Sequence, residues 1–413
     1  MHGQTWIEVN LAKLEFNLKS FLRLIGGGSS GDSANQGGTK LCAVVKADGY
    51  GLGVNPIAAR LAAHGAAMLA VYSQDQARDI MRTMINCPVI MFSPLISLDR
   101  TDPLYRSLVS GKLHVVVHSL YQLQRIEAIS QCFGCQVPVH LFIDTGMGRE
   151  GFLPDQLPEM LTKISSHRHL KLAGICSHFA SADDDPEFTD LQLSRMKQCL
   201  DEEKTLIGPG TVVHMANTHA TLRSKRYHGD MVRVGLGLYG YGFENLRNSK
   251  TYLAEPDMLK PIVRWLAKIV QIKSLPAGRT VGYNNTHKLI RDSKIGILPV
   301  GYADGYPGEL SNNAMVRLLD KQGQPLAYAP VIGRVSMDQI TIDLTDCADA
   351  GVGMVVEVVS DDPACPCSLP KLASQANTTC YEILCRISPR LERVHIHADA
   401  LEHQQAIRRA VEA

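Results

Sequence analysis

Short apolar runs rich in β-branched residues recur along the first 240 residues. Between them lie longer stretches whose apolar positions return at helical spacing. The runs are LCAVV (41–45), MLAVY (68–72), PVIMF (88–92), HVVVH (114–118), VPVHLFI (137–143), LAGICSHF (172–179), VVHMA (212–216) and VGLGLYG (234–240). Strand–helix alternation of this kind predicts a parallel sheet. Eight such units fit a closed (β/α)8 TIM-type barrel, which typically takes ~250 residues. An open doubly wound sheet fits less well, because no GxGxxG follows an early strand. Ahead of the rhythm, TWIEVN (5–10) alternates as a strand does. Asn10 can cap a helix with apolar positions Leu11, Leu14, Leu18, Phe21, Leu22 and Ile25. Residues 26–40, GGGSSGDSANQGGTK, carry almost no side chains able to pack and read as a mobile Gly/Ser surface insertion.

The texture changes near residue 255. Beyond it, short alternating strands dominate: IVRWLAKIVQIKSL (262–275), KIGILPVGYA (294–303), AMVRLL (314–319), QITIDL (339–344) and VVEVVS (355–360). The predicted organisation is therefore a barrel over 1–255 and a mostly-β domain over 256–413, with a helical piece near 370–385.

Composition narrows the functional classes. The 413 residues carry 42 Lys+Arg against 41 Asp+Glu, a net charge of +1, so no global basic field exists to attract nucleic acid or an anionic membrane. No stretch approaches the ~18 consecutive apolar residues of a membrane span. The N-terminus lacks a basic region followed by an apolar one, so the expected location is the cytoplasm. Eleven cysteines are scattered through the chain and read as reduced thiols rather than a disulfide framework. The lone Cys132/Cys135 pair and the Cys365/Cys367 pair do not supply the four ligands of a structural zinc site, and ordinary buried thiols are the better reading. His395 and His397 alternate in a strand-like tail with no third ligand nearby, so no metal is expected.

In a parallel barrel, reactive groups sit at the C-terminal ends of strands. Lys46 and Tyr50 follow the first run, Asp144 and Arg149 the fifth. His178 ends the sixth, His214, Asn217, Thr218 and His219 belong to or follow the seventh, and Arg233 precedes the eighth. Singly, such residues are usually solvated charges or satisfied core groups. Together they would converge on one mouth. A lysine buried there has a lowered pKa, which favours an amine able to form a Schiff base.

The chain resembles the alanine racemases. The resemblance rests on AVVKADGYGLG (43–53), DTGMGREGF (144–152), SHFASADD (177–184), HMANTHATLR (214–223), MVRVGLGLYGYG (231–242), VGYNNT (281–286), LPVGYADGYP (298–307), GRVSMDQITIDLT (333–345) and YEILCRISPRL (381–391), in order over nearly the whole chain. It implies pyridoxal 5'-phosphate held covalently by Lys46, with Tyr50, Thr218, Gly235 and Leu236 at its phosphate and Arg233 at its pyridine nitrogen. Arg149 would reach the cofactor's phenolic oxygen and the substrate carboxylate. Tyr283, from the other subunit of a homodimer, would be the second acid–base group. His178 and His214 would orient Tyr283 and Arg233. Tyr302 and Met337, with Asp338 beside them, would line the substrate entrance. The implied reaction interconverts L- and D-alanine, supplying D-alanine for peptidoglycan. Racemisation needs a base on each face of Cα, and a tyrosine near pKa 10 serves only if its phenolate is stabilised.

Two positions depart from the family's usual pattern. Phe142 stands where many members carry a carbamylated lysine that buttresses the arginine, and Pro389 stands where many have a phosphate-contacting tyrosine. These departures motivate a rival reading, a broad-specificity racemase for larger or basic amino acids. A non-catalytic cofactor carrier is a second rival, disfavoured by Tyr283, and a decarboxylase with a related barrel a third, disfavoured by VGYNNT and GYADGYP.

Overall fold

The computed structural model describes residues 3–26, 38–83, 85–243, 253 and 256–397. Most of the 26–40 insertion therefore lies outside the described residues, and the boundary expected at 255 falls beside residues that are not described. The chain opens with β1 (Thr5–Asn10) and the helix Leu11–Leu24, whose Asn10 cap accepts from the Lys13 amide at 2.9 Å. Then come β2 (Lys40–Val44), β3 (Met68–Val71), β4 (Val89–Met91), β5 (Leu113–Val117), β6 (Val137–Phe142), β7 (Leu170–Cys176), β8 (Val212–His214) and β9 (Met231–Val234). β2 to β9 form one parallel eight-stranded sheet in the order β8-β7-β6-β5-β4-β3-β2-β9. Backbone bonds from Asp230 N to Val213 O (2.9 Å) and from Arg233 N to Ala216 O (2.8 Å) join its two ends, so the sheet closes nearly into the expected barrel.

Side-chain alternation along the strands sorts the barrel into two zones. Leu41, Ala43, Leu69, Val89, Val115, Val139 and Ile175 face outward and belong to the main core beneath the helices. Cys42, Met68, Ala70, Ile90, Val116, Phe142, Cys176 and Met231 face inward as a separate small cluster. His114 and His140 share strand parity with Val116 and Phe142, and Arg233 with Met231, so the barrel interior also carries a polar lane.

The second half contributes β10 (Val263–Lys268), β11 (Gln271–Leu275), β12 (Thr280–Val281), β13 (His287–Lys288), β14 (Ser293–Leu298), β15 (Met315–Leu319), β16 (Pro325–Ile332), β17 (Ile340–Asp343), β18 (Val355–Val359) and β19 (Glu392–Ile396). Nine strands pair in the order β11-β14-β17-β16-β15-β18-β10-β1-β19. The helices Leu369–Gln375 and Cys380–Arg386 occupy the expected helical stretch. Among the described residues no helix is long and apolar enough to cross a membrane.

Three elements differ from the pattern reading. β1 pairs with β10 and β19, so it belongs to the β-rich sheet rather than to the barrel half. The run 262–275 makes two strands, β10 and β11. The run 234–240 is not a strand: the sheet ends at Val234, and Leu236–Tyr239 form a 3-10 turn closed by Gly240 at φ +90°. Its apolar character reflects burial on every side. A Cβ on Gly240 would lie 2.1 Å from Lys260 O.

Candidate active site

Lys46 directly follows β2 and starts a left-handed turn. Ala47, Asp48, Gly49 and Tyr50 have φ of 54°, 55°, 62° and 59°. Each non-glycine residue there costs roughly 1–2 kcal/mol, so surrounding contacts must hold the turn. Gly49 N donates to Val45 O (3.0 Å), Gly53 N to Asp48 O (2.9 Å) and Val54 N to Asp48 Oδ1 (2.8 Å). The C-terminal segment clamps it from outside. Arg393 donates twice to Gly51 O (3.1 and 2.9 Å), and His395 Nε2 bonds Leu52 O at 2.9 Å. His395 is thus spent on this clamp, and His397 Nδ1 lies 2.9 Å from Arg60 Nη2. Among the described residues no group of three or more His, Cys, Asp or Glu could hold a metal ion.

The loop after β6 is organised by Asp144, whose Oδ1 accepts from the amides of Gly146 (2.9 Å), Met147 (2.7 Å) and Gly148 (3.1 Å). This presents Arg149 at the mouth. Phe142 fills the interior, its ring 5.0 Å from that of His118, and a Cβ on Gly151 would meet Phe142 Cδ1 at 2.6 Å. Glu150 Oε2 is the carboxylate beside Arg149, 3.9 Å from its Nε.

Asn217 caps the helix Thr218–Arg223, its side chain accepting from Ala220 N at 3.0 Å. Thr218 Oγ1 accepts from the amides of Gly235 (3.2 Å) and Gly237 (3.3 Å). Position 235 must lack a side chain, because a Cβ there would sit 2.2 Å from Tyr50 Oη. Leu236 is buried in the same turn. Arg233, 4% exposed, donates through Nη1 to His214 Nδ1 (2.7 Å) and His214 O (2.8 Å). Its Nη2 donates to Ser177 O (2.6 Å), His178 Nδ1 (3.0 Å) and Met215 O (3.1 Å). Every one of these acceptors is neutral.

Lys46, Tyr50, Arg149, His178, Thr218, Arg233 and Gly235 line one cavity of about 260 Å³, with Glu150, Asn217, Phe92 and Tyr381. Burial, then the Arg149 and Arg233 charges, lowers the Lys46 pKa and favours its free amine. Burial and the same cations bring His178 down to about 3, so its ring is neutral. With Nδ1 accepting from Arg233, His178 keeps Nε2–H as a donor. Burial raises Tyr50 well above the usual phenol range and keeps it a neutral donor. The donor set includes the Lys46 amine, the Arg149 and Arg233 guanidiniums, the His178 ring N–H and the hydroxyls of Tyr50, Tyr72, Thr218 and Tyr381, with glycine backbone packed close to Tyr50. It fits a flat group that carries both a carbonyl and an anion.

Tyr283, Tyr302, Met337 and Asp338 lie outside this cavity, on the β domain. Tyr283 is 68% exposed, Tyr302 52% and Met337 54%. Tyr302 N donates to Ser336 O (3.0 Å) and Ala303 N to Met337 O (3.0 Å), so these two loops form one exposed shelf. Arg390 bridges Asp338 and buried Asp304 at 2.7 Å each, stiffening the shelf beside exposed Pro389. The sequence reading missed Tyr381, Glu150 and Phe92 as lining residues. Tyr381 and Glu150 each sit inside a quoted motif; Phe92 ends a strand run, where Lys46 directly follows one.

A nearly closed βα barrel with an amine and two guanidiniums at the C-terminal strand ends, joined to a mostly-β domain, defines an enzyme of the barrel type. Residues 9–242 match the family model for the alanine racemase N-terminal domain, and residues 262–395 that for the alanine racemase C-terminal domain. The chain belongs to the alanine racemase family. It is 33% identical over 390 residues to the alanine racemase of Halothermothrix orenii, covering 94% of this chain and 96% of that one. It superposes on the alanine racemase of Streptomyces lavendulae with a TM-score of 0.83 at 26% identity, over 98% of this chain and 99% of that one. It also shares its fold with the Bartonella henselae enzyme, solved with covalently bound pyridoxal phosphate (TM-score 0.77, 24% identity, 95% and 100% covered).

Proposed function

We propose that this chain is a pyridoxal-phosphate-dependent racemase that interconverts L- and D-alanine, works as a homodimer in the cytoplasm and supplies D-alanine for peptidoglycan. The observation that carries this reading is the cavity where Lys46, Arg149 and Arg233 meet the Tyr50–Thr218–Gly235 cradle. Lys46 would hold the cofactor through its amine, Tyr50, Thr218 and the Gly235–Leu236 backbone its phosphate, and Arg233 its ring nitrogen. When bound, the cofactor supplies the electron sink that acidifies the substrate Cα–H.

The remaining chemistry belongs to the protein. Lys46 Nζ, as the free amine that burial favours, would move a proton at Cα on one face. The opposite face needs a second base. Tyr283 suits it, and its 68% exposure outside the cavity calls for a second copy of this chain to bring it there. His178 Nε2–H would donate to that phenol oxygen and stabilise the phenolate. Arg149, with Glu150 in the place of the missing buttress, would pair with the substrate carboxylate. Tyr302 and Met337 would form the entrance, with His214 and Asp338 in support.

Hydrogen exchange at Cα in deuterated water tests this directly. Incubation with L-alanine is expected to give deuterated alanine of both configurations. Exchange with retention only, or none with any amino acid, would overturn the reading. Exposed Pro389 favours a second reading, in which larger side chains are also accepted. Relative rates across a panel of L-amino acids separate the two.

A further inference from the structure

Inside the barrel, four polar side chains form a continuous line. His114 Nδ1 lies 2.9 Å from His140 Nε2, His140 Nδ1 lies 2.9 Å from His214 Nε2, and His214 Nδ1 lies 2.7 Å from Arg233 Nη1. The line starts near the N-terminal end of β5, passes the middle of β6, reaches the end of β8 and stops at the cavity. It crosses β7, which lies between β6 and β8. Gly174 supplies the opening there: a Cβ would sit 2.2 Å from His140 Nδ1, and the β6–β7 register shifts between Val139 and His140. A bulge at that point re-aims a side chain.

Hydrogen-bond logic fixes every proton in the line. A guanidinium only donates, so His214 Nδ1 must accept. His214 then carries its proton on Nε2 and donates to His140 Nδ1. His140 in turn donates from Nε2 to His114 Nδ1. A second proton on any ring would set two donors face to face, so all three are neutral Nε2–H tautomers. Burial agrees, pushing His140 and His214 well below the usual histidine range and His114 down to about 4. Each ring turns its lone pair toward Arg233 and its N–H away. Chained hydrogen bonds of one polarity strengthen one another.

We propose that His140 and His114 are positioning residues for the reaction: they lock the His214 tautomer and orient a series of dipoles that stabilises the Arg233 charge, to which no carboxylate among the described residues bonds. The proposal deepens the racemase reading, in which Arg233 faces the cofactor ring nitrogen. The link matters because a flipped His140 would force a proton onto His214 Nδ1. That proton would push against Arg233, turning the guanidinium that the cavity depends on.

The test uses the cofactor-loaded full chain labelled with 15N-histidine. Long-range proton–nitrogen spectra report each tautomer, and the His114, His140 and His214 signals are assigned by their loss in single variants. The expected result is three neutral Nε2–H rings. His140→Leu should move the His214 signal and lower kcat about tenfold with little change in KM. His140→Gln, which keeps one donor and one acceptor, should recover most of the rate. Should His140→Leu fail to fold, His114→Phe breaks the line at its outer end, and about a threefold loss of kcat is expected. A wild-type His214 protonated on Nδ1 would overturn the proposal. So would Leu and Gln variants of equal rate, or a folded His114→Phe that leaves both the His214 signal and kcat unchanged. The tautomer pattern is read without turnover, so absence of Cα exchange in the wild type would instead count against the racemase reading.

Discussion

Two buried arginine sites make an instructive contrast. In the β domain, Arg264 (7% exposed) and Arg317 (6%) grip the fully buried Glu357 from both sides at 2.5 Å, and Glu8 and Asp362 complete the network. Burial opposes the Arg264 charge, but Glu357, Glu8 and Asp361 outweigh it and hold its pKa above the ordinary value. In the barrel, Arg233 is equally buried, yet no carboxylate bonds to it among the described residues. Burial lowers its pKa, with only the buried thiols of Cys176 and Cys42 opposing. Paired charge marks a place where the network holds the fold. Unpaired charge, cushioned by carbonyls and imidazoles, marks a place prepared for a ligand.

Breaking each site should therefore have opposite signatures. Glu357→Ala leaves two buried guanidiniums without their partner and should cost roughly 3–5 kcal/mol in denaturant unfolding, with activity per folded molecule nearly intact. Arg233→Met removes an unpaired buried charge but leaves its acceptors without a donor, so it should cost less stability than Glu357→Ala while kcat falls roughly 10²–10³-fold. Equal stability losses in the two variants would erase the distinction.

Acid sharpens the contrast. The folded chain keeps His114 and His178 neutral down to about 4 and 3, and burial holds His140 and His214 well below the usual histidine range, whereas unfolded histidines take up protons near 6.5. Below that pH the unfolded state binds more protons, so stability rises with pH over the window from about 4 to 6.5 and is lost as pH falls through it. Replacing His140 by Leu should flatten that slope in pH-dependent unfolding. The smallest effect is expected at Glu150, whose pair with exposed Arg149 is loose. Glu150→Gln should raise KM for alanine roughly two- to fivefold at unchanged stability.

The barrel was legible because each βα unit repeats one signal, apolar run then helical period, and part of the cavity lining was legible because it stands at or just past the run ends. Lys46, Arg149 and His178 were found that way. The 234–240 turn was misread because a run buried on all sides looks the same whether it is extended or coiled. β16 carries two prolines and several exposed positions, so it gave no strand signal. The histidine line was illegible for another reason. His140 and His214 each sit singly in an apolar run, His114 opens one that ends in His118, and only the barrel's closure and the opening at Gly174 bring the three together.

The central claim is that one site needs Lys46 from one chain and Tyr283 from another. Mixing inactive Lys46→Ala and Tyr283→Phe proteins under conditions of subunit exchange tests it most directly. Mixed dimers would hold one complete site and one doubly defective site. The account predicts recovery of roughly a quarter of wild-type activity at equal mixing. No recovery, with exchange verified, would show that both groups act within a single chain and contradict the account.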